Sequence, residues 1–464
     1  MTKKRIYLNA FEMASAGGHQ SPGLWVNEAE GTPTYKDSEY WIGLAKLLEK
    51  GKFDAVFLAD VLGTYDVYGG SRDAALRNAV QTPVNDPLLV VPLMSSVTKH
   101  LSFGVTSSVS HEHPYTFARR MSTLDHLTQG RIGWNIVTSY LKSAARNIGK
   151  EDQMNHDQRY DYAAEYLEVC YKLWEGSWED GAVVRDKNAK VYTDPSKVHD
   201  INHEGEYFKV PGAHLSEPSP QRTPVLFQAG ASPRGRDFAA QHAESVFLAG
   251  PTKQVVKKSV SALRDSIKAN GRDPEDVLVY TTFTAIVGKT EEEAQEKYQK
   301  LKDSISYEGA LTLLSGWTGI DFSAYDPEQT LEYIDSNAMQ SAVEVFTRAD
   351  PDRKWTIREL AAFVGIGGRG PVAVGSPEQV ADQIEEWVED TGVDGFNLAY
   401  TESLESFKDF VELVVPVLQQ RGRVQKEYGE GTYREKVYGK GQNHLKQDHP
   451  GAGYKKKVQT PVGI

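Results

Sequence analysis

Eight times along this chain an apolar run rich in β-branched and aromatic residues comes before an amphipathic helical stretch, and few folds accommodate that rhythm. The runs are RIYLNAF (5–11), FDAVFLAD (53–60), LSFGVTSSV (101–109), RIGWNIVTS (131–139), VLFQAG (225–230), ESVFLAG (244–250), VLVYTTFTAIVG (277–288) and GFNLAY (395–400). Segments such as YWIGLAKLLEKG, QVVKKSVSALRDSIKANG and SFKDFVELVVPVLQQRG follow them with helical spacing. The runs lack strict in–out alternation, as expected of parallel strands covered on both faces. Eight strand–helix units predict a closed (β/α)8 TIM barrel, with an open doubly wound sheet as the alternative.

Residues 1–425 read as a single barrel domain with insertions at about 178–222 and 306–372, and 426–464 as a C-terminal extension. The first insertion holds hairpin-like pieces (KVYTDPSKV, GEYFKV). Long insertions at barrel loops are expected to form lids or walls over the site.

Composition narrows the function classes. A net charge of −12 argues against nucleic acid as a partner. The lysines of YKKK (454–457) read as a solvated tail. One cysteine, Cys170, leaves no disulfide and no thiolate cluster. There is neither a signal-peptide-like start nor an apolar run of about 20 residues, so a soluble, cytoplasmic protein off the membrane is expected.

Three apparent motifs carry little. GIGGRG (365–370) matches G-x-G-x-x-G, but a helical pattern precedes it and a strand-like one follows, so it reads as a flexible loop. HEH (111–113) has no third ligand at useful spacing, and no metal site is expected. Cys170 falls on the helical stripe Tyr160, Ala163, Leu167, Cys170, Trp174 and reads as core.

The strand ends say more. Asp60 closes strand two in phase with Val56 and Leu58, the bulkier set expected to fill the barrel interior. Thr106 leaves strand three in the same way. Asn135 and Thr138 leave strand four three residues apart, so either only one faces the mouth or the strand ends early. Asn155 is a plausible N-cap with Gln158 completing a capping-box pattern, and His156 and Tyr160 are i, i+4 neighbours at that helix start. In VLFQAGASPRGRDFA (225–239), Ser232 suits an N-cap and Pro233 the first helical position. Arg234 and Arg236 sit where a helix dipole disfavours cations, so an anion is expected there. Two helix N-termini after strands four and five lie on one face of a barrel, and one phosphate of a phosphorylated cofactor fits both.

Several stretches together resemble the bacterial-luciferase-like, flavin-dependent monooxygenases: RRMSTLDHLTQGRIGWNIVTSYLKSAARNIG, HDQRYDYAAEYLEVCYKLWEGSWED, SPQRTPVLFQAGASPRGRDFAAQHAESVF and GVDGFNLAY. The branch is that of nitrilotriacetate and dibenzothiophene-sulfone monooxygenases, over about residues 5–425. Within it, GKFDAVFLADVLGTYDVY and EGTYREKVYGKG resemble the enzymes of dimethyl sulfide and long-chain alkanes. The resemblance implies a barrel that binds reduced FMN from a separate NAD(P)H-dependent flavin reductase. It also implies O2 addition at the flavin C4a, delivery of one oxygen atom to a small apolar substrate, and a homodimer or homotetramer. Dimethyl sulfide, giving methanethiol and formaldehyde, is the expected substrate; a long-chain alkane or another organosulfur compound is the alternative. A flavin-binding protein without turnover is the reading from another class.

By the same resemblance, Asp60, Thr106, His156, Tyr160 and Ser232 are FMN ligands, with Asn135 and Ala231 beside them; Thr138, from the end of strand four, is counted with the cofactor-binding residues. The implied chemistry needs a hydrogen-bond donor near the flavin peroxide's outer oxygen. His19, Tyr65, Gln81 and Tyr140, in or near strand-to-helix loops one, two and four, are the candidates.

Overall fold

The computed structural model describes residues 4–230, 232–332, 338–347 and 353–455. All eight expected strands form. They are β1 (Tyr7–Met13), β2 (Ala55–Ala59), β3 (Ser102–Ser108), β4 (Ile132–Val137), β5 (Val225–Gln228), β6 (Ser245–Leu248), β7 (Leu278–Val287) and β8 (Gly395–Ala399). Every neighbouring pair is parallel, and β8 pairs with β1 (Tyr7 opposite Gly395), so the sheet closes on itself into a (β/α)8 barrel. Helices cover its outside: α1 (Ser38–Lys50), α2 (Pro114–Leu127), α3 (His156–Tyr171), α4 (Pro233–His242), α5 (Lys253–Ala269) and α6 (Glu291–Asp303). Between β7 and β8 the chain adds α7 (Tyr307–Thr318), α8 (Ile357–Val364) and α9 (Pro377–Thr391). A short strand, Val372–Gly375, pairs with the far end of β7 (Thr284 opposite Val372).

The barrel interior is aromatic. Phe57, Phe227, Phe247 and Tyr280 meet there, with Phe227 and Phe247 stacked at 5.4 Å between ring centroids. Each buried ring contributes about 1.5–3 kcal/mol by leaving water. Gly133 lies against them: a Cβ there would stand 2.6 Å from the Phe227 ring. The phase of β2 is therefore opposite to the sequence expectation. Ala55 and Phe57 face the interior, while Val56 and Leu58 pack outward in the layer shared with the helices. Both faces of a parallel strand are buried, so side-chain bulk does not reveal which one is inside.

Tyr433, from the C-terminal segment, closes the lower end of the barrel and stacks on Phe227 at 6.0 Å. Beside it, buried Arg434 makes a two-pronged pair with Glu244 at 2.7 and 2.8 Å and donates to the carbonyls of Thr223 and Pro224.

The two insertion-like segments lie differently. Residues 178–222 form two small antiparallel hairpins, Val183–Asp186 with Val191–Thr193 and His203–Glu204 with Lys209–Val210. These pack on the flank, where His214 bonds Ser122 of α2 and His203 bonds Glu165 of α3, and they do not overhang the mouth. The segment that holds α7 and α8 has its own apolar core, shared with Tyr65, Val80 and Leu141 from the barrel loops. Among the described residues no helix is long and apolar enough to cross a membrane. Of the YKKK tail, Lys455 pairs with Asp180; 456–457 lie outside the described residues.

Candidate functional site

At the C-terminal ends of the strands lies a cavity of about 270 Å³. His19, Asp60, Gln81, Thr106, Asn135, Thr138, Tyr140, His156, Tyr160 and Ser232 all line it. Tyr65 stands one layer behind them, and Ala231 lies outside the described residues.

One side of the cavity is built from two helix starts. Ser232 caps α4 and its Oγ accepts from the Gly235 N–H (3.1 Å), with Pro233 in the first turn. His156, at the first position of α3, approaches the same Oγ through Nε2 (3.2 Å) and holds Asp157 with Nδ1 (2.8 Å). Tyr160, one turn on, packs edgewise on His156, and its hydroxyl lies where Gly235 leaves room: a Cβ on Gly235 would be 2.6 Å from it. This wall carries the N-terminal end of α4, a hydroxyl, a phenol and an imidazole, a set that suits a phosphate. Two local expectations change. Asn155 precedes α3 without a side-chain capping bond, so the capping box is absent. Arg234 turns back to Asp161 (2.6 Å), which explains a cation in the first turn without calling on the anion.

The interior wall is polar at its rim. Asn135 donates to Thr106 Oγ1 (2.9 Å), and its own Oδ1 has no partner among the described residues; nor does Gln228 Oε1. β4 ends at Val137, so Thr138 has left the pleat and lines the cavity together with Asn135. The early strand end is thus the alternative that holds. Asp60 likewise lies one residue beyond β2 and reaches the cavity by leaving the strand, out of the Val56–Leu58 phase.

Burial, reinforced by Asp86 and opposed by the Val61 N–H, lifts the Asp60 carboxyl from 3.8 to about 7. The native fold therefore favours the neutral acid, while the unfolded chain ionises it above pH 3.8. The resulting stability is complete below that pH and is lost as the pH rises towards about 7. Asp60→Asn is expected to flatten the melting temperature between pH 4 and 7 and to melt above the parent at pH 8. Parallel pH curves for the two proteins would refute this reading.

The opposite side joins residues that are far apart in sequence. The Tyr140 and Tyr65 hydroxyls lie 2.6 Å apart, Tyr65 donates to Gln81 Oε1 (2.9 Å), and Gln81 Nε2 donates to the His19 carbonyl (2.8 Å). Burial first, against the Tyr65 hydrogen bond, pushes Tyr140 up to about 12, so it stays a donor at neutral pH. The His19 ring is fully buried edge-on to Phe11 (4.3 Å), with neither nitrogen partnered among the described residues. Burial lowers its pKa to about 3, which keeps it neutral. Gln81 and Ser139, both at the cavity, hold left-handed backbone (φ 51° and 60°), as constrained site residues often do.

Sequence reasoning missed several lining residues: Arg159, Gln228, Trp317 of α7 and Arg369. Arg369 was hidden in GIGGRG. That loop follows a helix and leads into a strand, the reverse of a dinucleotide turn, as its flanks predict. It is tightly packed where a flexible loop was expected: a Cβ would meet Thr284 Oγ1 at 2.5 Å from Gly367 and the Thr282 carbonyl at 2.6 Å from Gly370. The HEH residues divide. His111 lines the cavity, Glu112 pairs with Arg120, and His113 caps α2. Among the described residues no three His, Cys, Asp or Glu side chains group as a metal site. Cys170 is core, fully buried with the rest of its stripe.

Residues 22–395 match the family model described as luciferase-like monooxygenase. The chain is 52% identical to long-chain alkane monooxygenase of Geobacillus thermodenitrificans over 98% of its length and 99% of the relative's. It is 49% identical to dimethyl-sulfide monooxygenase of Hyphomicrobium sulfonivorans over 98% of its length and 94% of the relative's. Crystal structures of a long-chain alkane monooxygenase (52% identical, covering 97% of this chain and 100% of its own) and of DmoA from Hyphomicrobium sulfonivorans (48%, 97% and 96%) superpose with TM-scores of 0.90 and 0.91. A riboflavin lyase solved with modified FMN and riboflavin is 37% identical, covering 98% of this chain and 100% of its own, with TM-score 0.91.

Proposed function

Because this chain belongs to the luciferase-like monooxygenase family, and is thereby an oxidoreductase, we propose that it uses reduced FMN and O2 to oxygenate a small apolar molecule, dimethyl sulfide first. The observation that carries the proposal is the convergence of two helix starts, His156, Tyr160 and Ser232 on one wall of a cavity whose other wall is the Tyr140–Tyr65–Gln81 chain. The residues present fit the cofactor. The first wall suits one phosphate, and the unpartnered amide oxygens of Asn135 and Gln228 are buried acceptors for a ring N–H.

Bound there, FMN supplies the electrons and delivers oxygen. The protein's part is positional. His156, Ser232 and Tyr160 hold the phosphate, while Asp60 and Thr106 face the ring. Tyr140, held by Tyr65, keeps a proton to donate, and neutral His19 presents ring nitrogens without adding charge. Trp317 and Met339 line the cavity and contribute apolar surface that would keep water from the reacting atoms. The family resemblance, with a 36% identical relative named nitrilotriacetate monooxygenase component A, supports a separate NAD(P)H-dependent flavin reductase as the source of the reduced flavin. The working form is a homodimer or homotetramer.

The test incubates purified protein with a flavin reductase, NADH and FMN, offers volatile sulfides and alkanes separately, and follows products by gas chromatography. Methanethiol from dimethyl sulfide is the expected product. Oxidation of alkanes alone transfers the assignment to them, and flavin binding without any product leaves the non-catalytic reading. His156→Ala and Ser232→Ala are each expected to weaken FMN binding about 10- to 100-fold, the worth of a charge-assisted hydrogen bond. Unchanged fluorescence titrations would remove the phosphate from this wall.

A further inference from the structure

Arg369 is a cation inside the cavity with no acid paired to it among the described residues. Its guanidinium carbon lies 5.0 Å from the Trp317 ring centroid, and it makes no ion pair or hydrogen bond with another described residue. The loop around it is fixed by its backbone: the Gly367 N–H donates to Ser21 Oγ (3.0 Å), the Gly370 N–H to the Gly367 carbonyl (3.3 Å), and the Pro371 carbonyl accepts from Thr284 (3.0 Å). At Gly368 (φ 66°) there is no room for a Cβ, which would stand 2.1 Å from Gln20 Oε1. The side chain is thus held in the cavity by packing and by the Trp317 face, both charge-neutral supports. Burial lowers its pKa, and the titratable groups that face it are the phenols Tyr140 and Tyr65, both protonated and neutral at pH 7. A desolvated guanidinium without a counter-ion is costly, and its planar fork suits a delocalised anion.

The phosphate wall is built from α3 and α4, whereas Arg369 and Trp317 enter from the β7–β8 connection beside Tyr65 and Tyr140. A second positive site calls for a second negative group. On the reading above the substrate is apolar, which leaves the cofactor ring: reduced flavin gives up its N1 proton near neutral pH and spreads the charge towards the C2 carbonyl, whereas the oxidised ring is neutral. We propose that Arg369 is the counter-charge for the anionic ring of reduced FMN and makes the site prefer the reduced cofactor over the oxidised one. The inference rests on the flavin reading and adds a direction to it. The site captures FMN as the reductase delivers it and holds the spent form less tightly.

The test measures binding, with no substrate present. The full-length chain, Arg369→Gln, Arg369→Met and Arg369→Lys are titrated with FMN in air and with reduced FMN under anaerobic conditions, and each variant's melting temperature checks that it folds. The affinity ratio of reduced over oxidised FMN is expected to fall about tenfold in the Gln and Met variants, a drop of about 30 mV for a two-electron couple. The Lys variant is expected to keep the ratio within about threefold. An unchanged ratio, or equal losses for both forms, overturns the proposal. In a separate turnover assay, a raised KM confined to carboxylate- or sulfonate-bearing substrates, beside an unchanged ratio, assigns the charge to substrate and also overturns it. A parent chain that binds neither form of FMN overturns the flavin reading itself, and that result appears before any variant is made.

Discussion

Arg434→Met is expected to cost about 3–5 kcal/mol of folding stability, the usual penalty for stranding one partner of a buried ion pair. Arg434 is 1% exposed and Glu244 8%, and the guanidinium also satisfies the carbonyls of Thr223, Pro224 and Asn443. Removing it leaves three acceptors and a carboxylate without their donor beneath β5 and β6. Burial tends to raise the Glu244 pKa, but Arg434 outweighs that effect and holds the carboxyl below its ordinary value. A depressed carboxylate contributes stability above its unfolded value of 4.5, and this is lost as the pH falls through the folded one. The gap between parent and variant therefore narrows in acid. The double variant Arg434→Met with Glu244→Gln is expected to recover part of the loss. Urea unfolding at pH 7 and at pH 4 checks all three statements. A single-variant cost below about 1 kcal/mol at pH 7 would mean that the pair does not clamp the lower end of the barrel.

Gly316→Ala is expected to lower turnover at least about 100-fold while sparing FMN affinity, because displacement of about 1 Å at a positioning group is enough for such a loss. Gly316 lies in α7, which is buried from Gly309 to Thr318, and a Cβ there would stand 1.6 Å from Tyr65 Cδ1 and 2.2 Å from Cε1. Tyr65 cannot stay in place, and it is the link between Tyr140 and Gln81. The wall proposed for the phosphate belongs to α3 and α4, away from the Tyr140–Tyr65–Gln81 chain. Gly43→Ala is the control, since nothing lies within 4 Å of a Cβ there. Product formation and FMN titration on the same samples decide the matter. Turnover within threefold of the parent would show that Tyr65 does not position the site.

The barrel was legible because all eight strands are largely buried and apolar and most are followed by an amphipathic helix; β2 is the exception, followed only by the short helices Asp73–Arg77 and Val91–Ser95. Which face of a strand is inside was not: Val56 and Leu58 are bulkier than Ala55, yet Phe57 alone reaches across to Phe227 and Phe247. The residues at helix starts and strand ends were legible because a closed parallel barrel sends all of them to one rim. The hydrogen bonds joining Tyr140, Tyr65, Gln81 and His19 span separations such as 75 and 62 residues, and local pattern carries no information about such pairings. Arg369 escaped for a different reason. Its glycines match a phosphate-loop pattern for steric causes, contact with Thr284 and Thr282, and dismissing the phosphate reading also dismissed the arginine among them.

β7 continues past its barrel neighbours, and its last residues, Thr284–Val287, pair with Val372–Gly375, the strand on which the chain returns from α7 and α8. The excursion thus departs and arrives on adjacent strands, about 4.8 Å apart. A segment with its two ends stitched side by side exerts no pull on the register of the barrel, and lengthening it adds little closure entropy. It behaves as a cassette. Whatever is rewritten between Val287 and Val372, including the side of the cavity that Trp317 and Arg369 line, the helix starts of α3 and α4 keep their places.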